Sequence, residues 1–322
     1  MTEATAPSTR PQTWRRIAWL IVRLIFVAVI FTLIFRRADL DTDTLLAQAN
    51  EIRWGWVALA LALWIGSSVV ASLRWKTLLD VVHTGVSLWP LVWFNWVGVF
   101  YAQFLPGMVS GDLVRGYYLA RGSDDKVNIV ASALMDRVLG IVANGLIGLA
   151  ALAVSPLVLE TFQLEGNVLA IVAAVIVFGL LVGYGAVLIL NRVSGRFPMW
   201  LNTLYAPIQR YSGHPVQLGL ATLYSVGFFG VWAAGLWALA AGVQLAYLGF
   251  TTILLLLAVI NVAQFLPISL NGLGVREAAV VAVLAAYGVA QPAAFVYALL
   301  ITAMGFVIAL LGGLLVLIDY RK

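Results

Sequence analysis

Long apolar runs dominate the chain. Six of them, at 17–35, 54–73, 129–155, 168–190, 216–241 and 293–318, hold the roughly 20 apolar residues that a helix needs to cross a bilayer core. Two more runs, 88–105 and 248–266, each end in a proline-glycine segment. Those two are expected to turn back within the membrane. Nothing resembles the short alternating segments of an outer-membrane barrel. The pattern predicts an all-α polytopic integral membrane protein with about six spanning helices plus two re-entrant hairpins. Residues 1–13 are polar and rich in Pro and Thr and read as a disordered tail. Run 17–35 is too long for a signal-peptide core, and the FRRADL after it offers no small-residue cleavage site. It is expected to be a retained first helix. RWKTLLDVV, residues 74–82, reads as an amphipathic interfacial extension of the second helix.

Composition fits this picture. Of 322 residues, 63% are hydrophobic and 10% charged, against about 25% charged in soluble domains. There is no Cys, so disulfides, thiolate metal sites and thiol nucleophiles are excluded. His83 and His214 lie far apart in sequence, and no metal or cofactor is expected. The 19 Lys+Arg against 14 Asp+Glu suit anionic membrane surfaces, and no nucleic-acid partner is expected.

The chain repeats itself. AQFLPGMVSGDLVRG (102–116) and AQFLPISLNGLGVRE (263–277) agree at eight of fifteen positions, at an offset of 161 residues, half the length. Pro106/Pro267, Gly111/Gly272 and Arg115/Arg276 fall in register without gaps. This reads as gene duplication, with repeats 1–161 and 162–322 forming one membrane domain.

Charge sets the orientation. With both proline-glycine segments re-entrant, cytoplasmic segments hold 12 Lys/Arg, outer segments three, and four lie within membrane segments. That is a strong positive-inside bias. With both arms crossing, the bias is lost, because Arg121, Lys126, Arg192, Arg196 and Arg210 then lie outside. The hairpin topology places both termini in the cytoplasm. Each half then crosses an odd number of times, which makes an inverted repeat, the architecture of secondary transporters.

Arginine inside an apolar segment costs ~2.5–3.5 kcal/mol at a helix centre and usually faces a cavity or partner. Arg115 and Arg276 are therefore the leading candidates. A guanidinium keeps its proton and matches phosphate oxygens bidentately. Gly111, Gly272 and Gly274 permit close backbone approach to a head group, with Gln103 and Gln264 as polar linings. Pro106 and Pro267 turn the hairpins. Asp112 and Glu277 read equally as coupling groups or as charge partners of the arginines. Asp136-Arg137 reads first as a structural ion pair and second as a cavity wall. Arg23 snorkels to the near face. A different class is marked by Asp41-Thr42-Asp43, an acidic pair in a loop where membrane glycosyltransferases place a base. Asp39 and Glu51 nearby favour an ordinary solvated loop. No phosphate-binding Walker loop or zinc motif occurs, so an ion or lipid gradient is expected to drive any transport.

RWKTLL, FLPGMVSGDLVRGYYLAR, ASALMDRVLG and LPISLNGLGVREAAV occur in this order. Together they resemble the lysylphosphatidylglycerol synthase transmembrane-region, or flippase-like, family, over most of the chain from Ile17 onward. That family includes the flippase domain of the multiple peptide resistance factor and hopanoid-associated members. The resemblance implies an inner-membrane protein, bacterial or archaeal, that moves a lipid or polyprenyl-linked substrate between leaflets. Its motif positions fall on Pro106, Gly111, Asp112, Arg115, Asp136, Arg137, Pro267, Gly272, Gly274, Arg276 and Glu277. Unlike the full-length synthases, the chain ends at Lys322 without a soluble aminoacyl-transferase domain, so enzymatic activity is not expected.

The resulting expectation is a lipid flippase for an anionic phospholipid or polyprenyl-phosphate lipid, its head group bound by Arg115 and Arg276. Asp112, Asp136, Arg137 and Glu277 would serve coupling or gating. The alternatives are a membrane subunit or enzyme of lipid-linked glycosyl or aminoacyl transfer, and a partner that recruits a lipid-modifying enzyme. Expected partners are membrane lipids and such an enzyme.

Overall fold

A computed structural model describes residues 47–82, 85–104, 110–121, 123–155, 209–265 and 272–319. The expected helices 17–35 and 168–190, Pro106, Pro267, Arg23, His83 and the Asp41–Asp43 pair lie outside the described residues. Eight α-helices and one 3-10 turn, Tyr211–Gly213, carry the described chain, and it holds no strand. The helices are α1 Trp54–Val81, α2 Leu88–Phe104, α3 Ser110–Ala120, α4 Lys126–Ala153, α5 Pro215–Gly242, α6 Phe250–Phe265, α7 Val275–Ala286 and α8 Gln291–Asp319. Four of them, α1, α4, α5 and α8, are long and apolar enough to cross a membrane. The chain is thus an all-helical membrane protein.

The largest interface joins α1 to α5. These two helices run antiparallel. Arg53, just before α1, donates its N–H to the Gly242 carbonyl at the end of α5 (2.9 Å). Halfway along, the rings of Trp64 and Trp232 stack at 4.5 Å, and the Trp64 indole N–H donates to the Trp232 carbonyl (3.2 Å). At the far end, the Tyr211 hydroxyl before α5 donates to the Leu78 carbonyl (3.0 Å). Gly235 makes the close crossing possible, since a Cβ there would run into the Trp64 indole.

Two pairs of shorter helices complete the bundle. At about 1.5 Å per residue, the 17 residues of α2 and 11 of α3 fall short of a ~30 Å hydrocarbon core. Leu91 near the start of α2 and Ala120 at the end of α3 share one apolar cluster with Trp75, Leu79 and Ile129. Both outer ends of this pair therefore lie where α1 ends and α4 begins. The second pair, α6 and α7, has its outer ends at the opposite pole. There α5 ends, and Tyr287 after α7 shares a hydrogen bond with Ser155 after α4 (2.6 Å).

RWKTLLDVV extends the helix of run 54–73, since α1 continues unbroken through Val81, and its inner side packs into the bundle. Trp75, Leu78 and Leu79 are fully buried, and the Trp75 indole N–H donates to Ser132 Oγ (3.1 Å). Apolar positions continue past Leu73 at helical spacing, so the helix has every reason to go on. Only the outer face, with Lys76 and Asp80 paired i to i+4 (2.8 Å), remains exposed.

Candidate functional site: a buried charge cluster lining an interior cavity

The extension of α1 brings Arg74 into the bundle, 7% exposed. Its guanidinium grips Asp136 of α4 with two donors, Nε at 2.5 Å and Nη2 at 3.1 Å. Arg115 of α3 donates to Asp136 Oδ2 (2.6 Å), the oxygen that Arg74 Nη2 also reaches, and pairs with Asp112 one turn earlier (2.7 Å). Asp112 reaches Arg137 with its second oxygen (3.5 Å). Arg115 further lies over the Trp75 ring, 4.7 Å from its centroid, and meets Asn95 Oδ1 at 3.4 Å. Five ionisable groups from three helices thus form one chain of contacts.

The Asp136-Arg137 pair expected from adjacency is not made. Successive helix positions point about 100° apart and do not face each other, so Asp136 turns to Arg74 and Arg115 while Arg137 turns to Asp112. The charge-partner reading of Asp112 holds in geometry. Arg74, in the stretch that reads as interfacial from sequence, belongs with the interior charges. The signal for it was the continuing helical spacing of Trp75, Leu78 and Leu79.

These groups line a cavity of about 290 Å³ inside the bundle. Gln264 of α6 faces it, as do Asn95, Asn144 and Asn261. Trp64, Trp96, Phe228 and Trp232 add aromatic faces to its lining, with the Phe228 ring 5.7 Å from the Arg74 guanidinium. Three guanidiniums stand against two carboxylates on this surface, a formal charge of +1. Buried cations in excess of their carboxylates favour an anionic guest, and arginine forks suit phosphate oxygens in particular.

The second copy of the motif is built differently. Arg276 is buried and does not line the cavity. Its Nε and Nη2 lie 3.1 and 2.9 Å from Glu277 Oε1, and Nη2 also donates to Thr302 (2.7 Å). Thr302 hydrogen-bonds Glu277 as well, whose other oxygen accepts the Gly274 N–H at the start of α7. This cluster closes on itself. Glycine serves packing and turning in both copies. A Cβ on Gly111 would sit 2.6 Å from the Gly98 carbonyl oxygen, so α2 and α3 cross at backbone contact. Gly272 and Gly274 adopt φ of +77° and +83°, which other residues rarely do. Gly272 in turn rests on the Gln264 backbone. Gln103 is buried on α2, away from the cavity wall.

Comparison with protein families places the whole arrangement. Residues 20–313 match the family described as the lysylphosphatidylglycerol synthase TM region. The chain belongs to that family. The match takes in every described element from α1 to α7, the cavity and both motif copies, and nearly all of α8. A membrane-embedded, lipid-related role follows from membership. Curated proteins and solved structures gave no match.

Proposed function

We propose that this lysylphosphatidylglycerol synthase TM-region protein is a transporter that moves a lipid with a monoanionic head group between leaflets. The carrying observation is the interior cavity with three guanidiniums and two carboxylates. One phosphodiester would bring its formal charge to zero. Arg115 is the central ligand in this reading, because it alone bridges both carboxylates. Asp112 and Asp136 hold the guanidiniums apart and in place until the head group arrives. The aromatic rings and the side-chain amides give the remainder of the head group apolar faces and hydrogen-bonding edges. Arg276 and Glu277 then act as the clasp that stiffens the second hairpin.

The architecture we infer is an inverted repeat with two re-entrant hairpins. Several observations support it. α5 occupies the positions 161 residues after α1 at both ends, and these equivalent helices run antiparallel. Helix contacts also exchange with the halves: α2 packs on α8 as α6 packs on α4. The pole where α1 ends carries Lys76, Arg121, Lys126 and Arg210, and the other carries Arg53, which favours the first pole as cytoplasmic. With the two runs outside the described residues, this gives six crossings, cytoplasmic termini and a bacterial or archaeal inner-membrane location. A separate lipid-modifying enzyme would supply the substrate.

The test is translocation of fluorescent phosphatidylglycerol against phosphatidylcholine in proteoliposomes. The anionic lipid should move faster, and Arg115→Gln should lower its rate at least tenfold, the equivalent of one charge-assisted contact of ~1.4 kcal/mol or more. Equal rates for both lipids, or an unchanged rate in Arg115→Gln, would sink the proposal.

A further inference from the structure

A second hollow opens on the flank of the bundle between α4, α6 and the start of α7. It measures about 470 Å³, and its walls are apolar apart from Asn144. Leu149 and Val262 line it and stay 47% and 58% exposed, so the hollow opens outward on the apolar length of α4. Its floor is low because the helices touch there: a Cβ on Gly148 would meet the Ala258 Cβ at 2.5 Å. Gly145, also in its wall, has nothing within 4 Å of its Cβ position.

Asn144 belongs to both spaces. It lines the charged cavity on one side and the apolar groove on the other. Its side chain is 5% exposed, and Oδ1 has no hydrogen-bond donor. A buried acceptor left open is a costly state, and native interiors seldom tolerate one. An acceptor at the border of a polar and an apolar chamber suits a molecule that is polar on one side and apolar on the other, with a hydroxyl or N–H at the join.

We infer that the groove between α4 and α6 is the tail subsite of the transported lipid: one hydrocarbon chain lies along Gly145, Leu149 and Val262 while the head group occupies the arginine cavity, with Asn144 Oδ1 accepting from a hydroxyl or N–H at the head–tail junction. The inference rests on the transport reading above and deepens it, because it names the path by which the substrate enters. The lipid slides in sideways from the bilayer. Its tail never leaves an apolar surface, and only the head group exchanges water for protein. A transmembrane segment of another protein, or a second copy of this chain, would fit the same flank without needing the polar cavity behind it. Continuity through Asn144 favours the lipid.

The absence of native Cys leaves thiol chemistry free for purification, and a photo-crosslinking residue at Val262 reports what sits in the groove. The protein is reconstituted in nanodiscs holding one part phosphatidylglycerol to nine parts phosphatidylcholine. After illumination the adducts are weighed by mass spectrometry. The expected result is a phosphatidylglycerol share several-fold above its mole fraction. That enrichment should fall to the mole fraction in Gly145→Phe, which puts a ring into the groove from a position where a Cβ meets nothing within 4 Å, and drop markedly in Asn144→Leu. Binding of tail-less glycerol 3-phosphate, read by tryptophan emission from the cavity lining, should survive Gly145→Phe and so shows that this variant is folded. Adducts at the bilk ratio of the bilayer, or adducts to protein, overturn the tail subsite. If head-group-selective translocation persists alongside such adducts, the groove alone is wrong. If selectivity and glycerol 3-phosphate binding are both absent, the transport reading falls with it.

Discussion

Asp136 joins two buried arginines, and taking its charge away is the sharpest perturbation the structure offers. It is 0% exposed and accepts three N–H donors, at 2.5, 3.1 and 2.6 Å. Asp136→Leu leaves Arg74 without a carboxylate, held by Ser225, 3.4 Å away, and the Phe228 ring, while Arg115 keeps Asp112. Stranding one partner of a buried ion pair costs about 3–5 kcal/mol. Arg74→Met should cost less, about 1.5–3 kcal/mol, the range of a hydrogen bond to a charged group, because Arg115 still covers Asp136. The double variant Arg74→Met/Asp136→Leu removes both charges and fills the space with apolar atoms, a replacement that is often close to neutral. The single costs should therefore fail to add, with a coupling of at least about 1.5 kcal/mol, within the range of contacting residues. Unfolding in a denaturing detergent, followed through the emission of the twelve tryptophans, measures all four corners of the cycle. Additivity to within about 0.5 kcal/mol, the behaviour of independent sites, would refute the network.

Three further predictions follow from the same geometry. Gly111→Ala forces a Cβ to within 2.6 Å of the Gly98 carbonyl oxygen and should destabilise by about 1–3 kcal/mol; Gly145→Ala, in open space, should be neutral in the same melt, and equal effects would show that α2 and α3 do not cross so closely. Glu277→Gln should cost about 3–5 kcal/mol by stranding Arg276, whereas Thr302→Val should cost about 1–3 kcal/mol; a reversed order would put Thr302, and not the ion pair, at the centre of that clasp. Single cysteines at the exposed positions Asp80 and Ser212 should react with impermeant reagents from one side of intact cells, and those at Glu51 and Gln244 from the other; labelling of all four from one side would contradict the antiparallel passage of α1 and α5 through the membrane.

Much of the fold was legible in the pattern of apolar runs, because a helix in hydrocarbon must satisfy its own backbone and so announces itself as an uninterrupted stretch. Runs 129–155, 216–241 and 293–318 became Lys126–Ala153, Pro215–Gly242 and Gln291–Asp319 with shifts of one to three residues. At 74–82 the extension of the helix was legible, but the inward turn of Arg74 was not. Three charges in nine residues look interfacial in a one-dimensional count, but Lys76 and Asp80 share an outer face while Arg74 points inward to Asp136. Spacing around the helix, not charge density along it, separates the two. The partners of Asp136 were equally out of reach, since Arg74 and Arg115 come from elements 62 and 21 residues away.

The two copies of the motif lead alike into α3 and α7, yet their surroundings differ. The shared Gly and Arg serve local structure: the close crossing at Gly111, the turn at Gly272 and the buried ion pairs of Arg115 and Arg276. What surrounds the arginine is free to diverge. At the offset of 161, Asp136 faces Tyr297 and Arg74 faces Gly235. Tyr297 is fully buried and spends its hydroxyl on the Leu236 carbonyl (2.9 Å), and Gly235 makes room for Trp64. The residues that build a charged cavity in one half are therefore the residues that let α1 and α5 pack against each other in the other. A symmetric pair of sites would need Arg74 and its counterpart both to be large and charged at that crossing, where the Trp64 indole already fills the space left by Gly235. One charged interior site is the arrangement that this packing permits among the described residues.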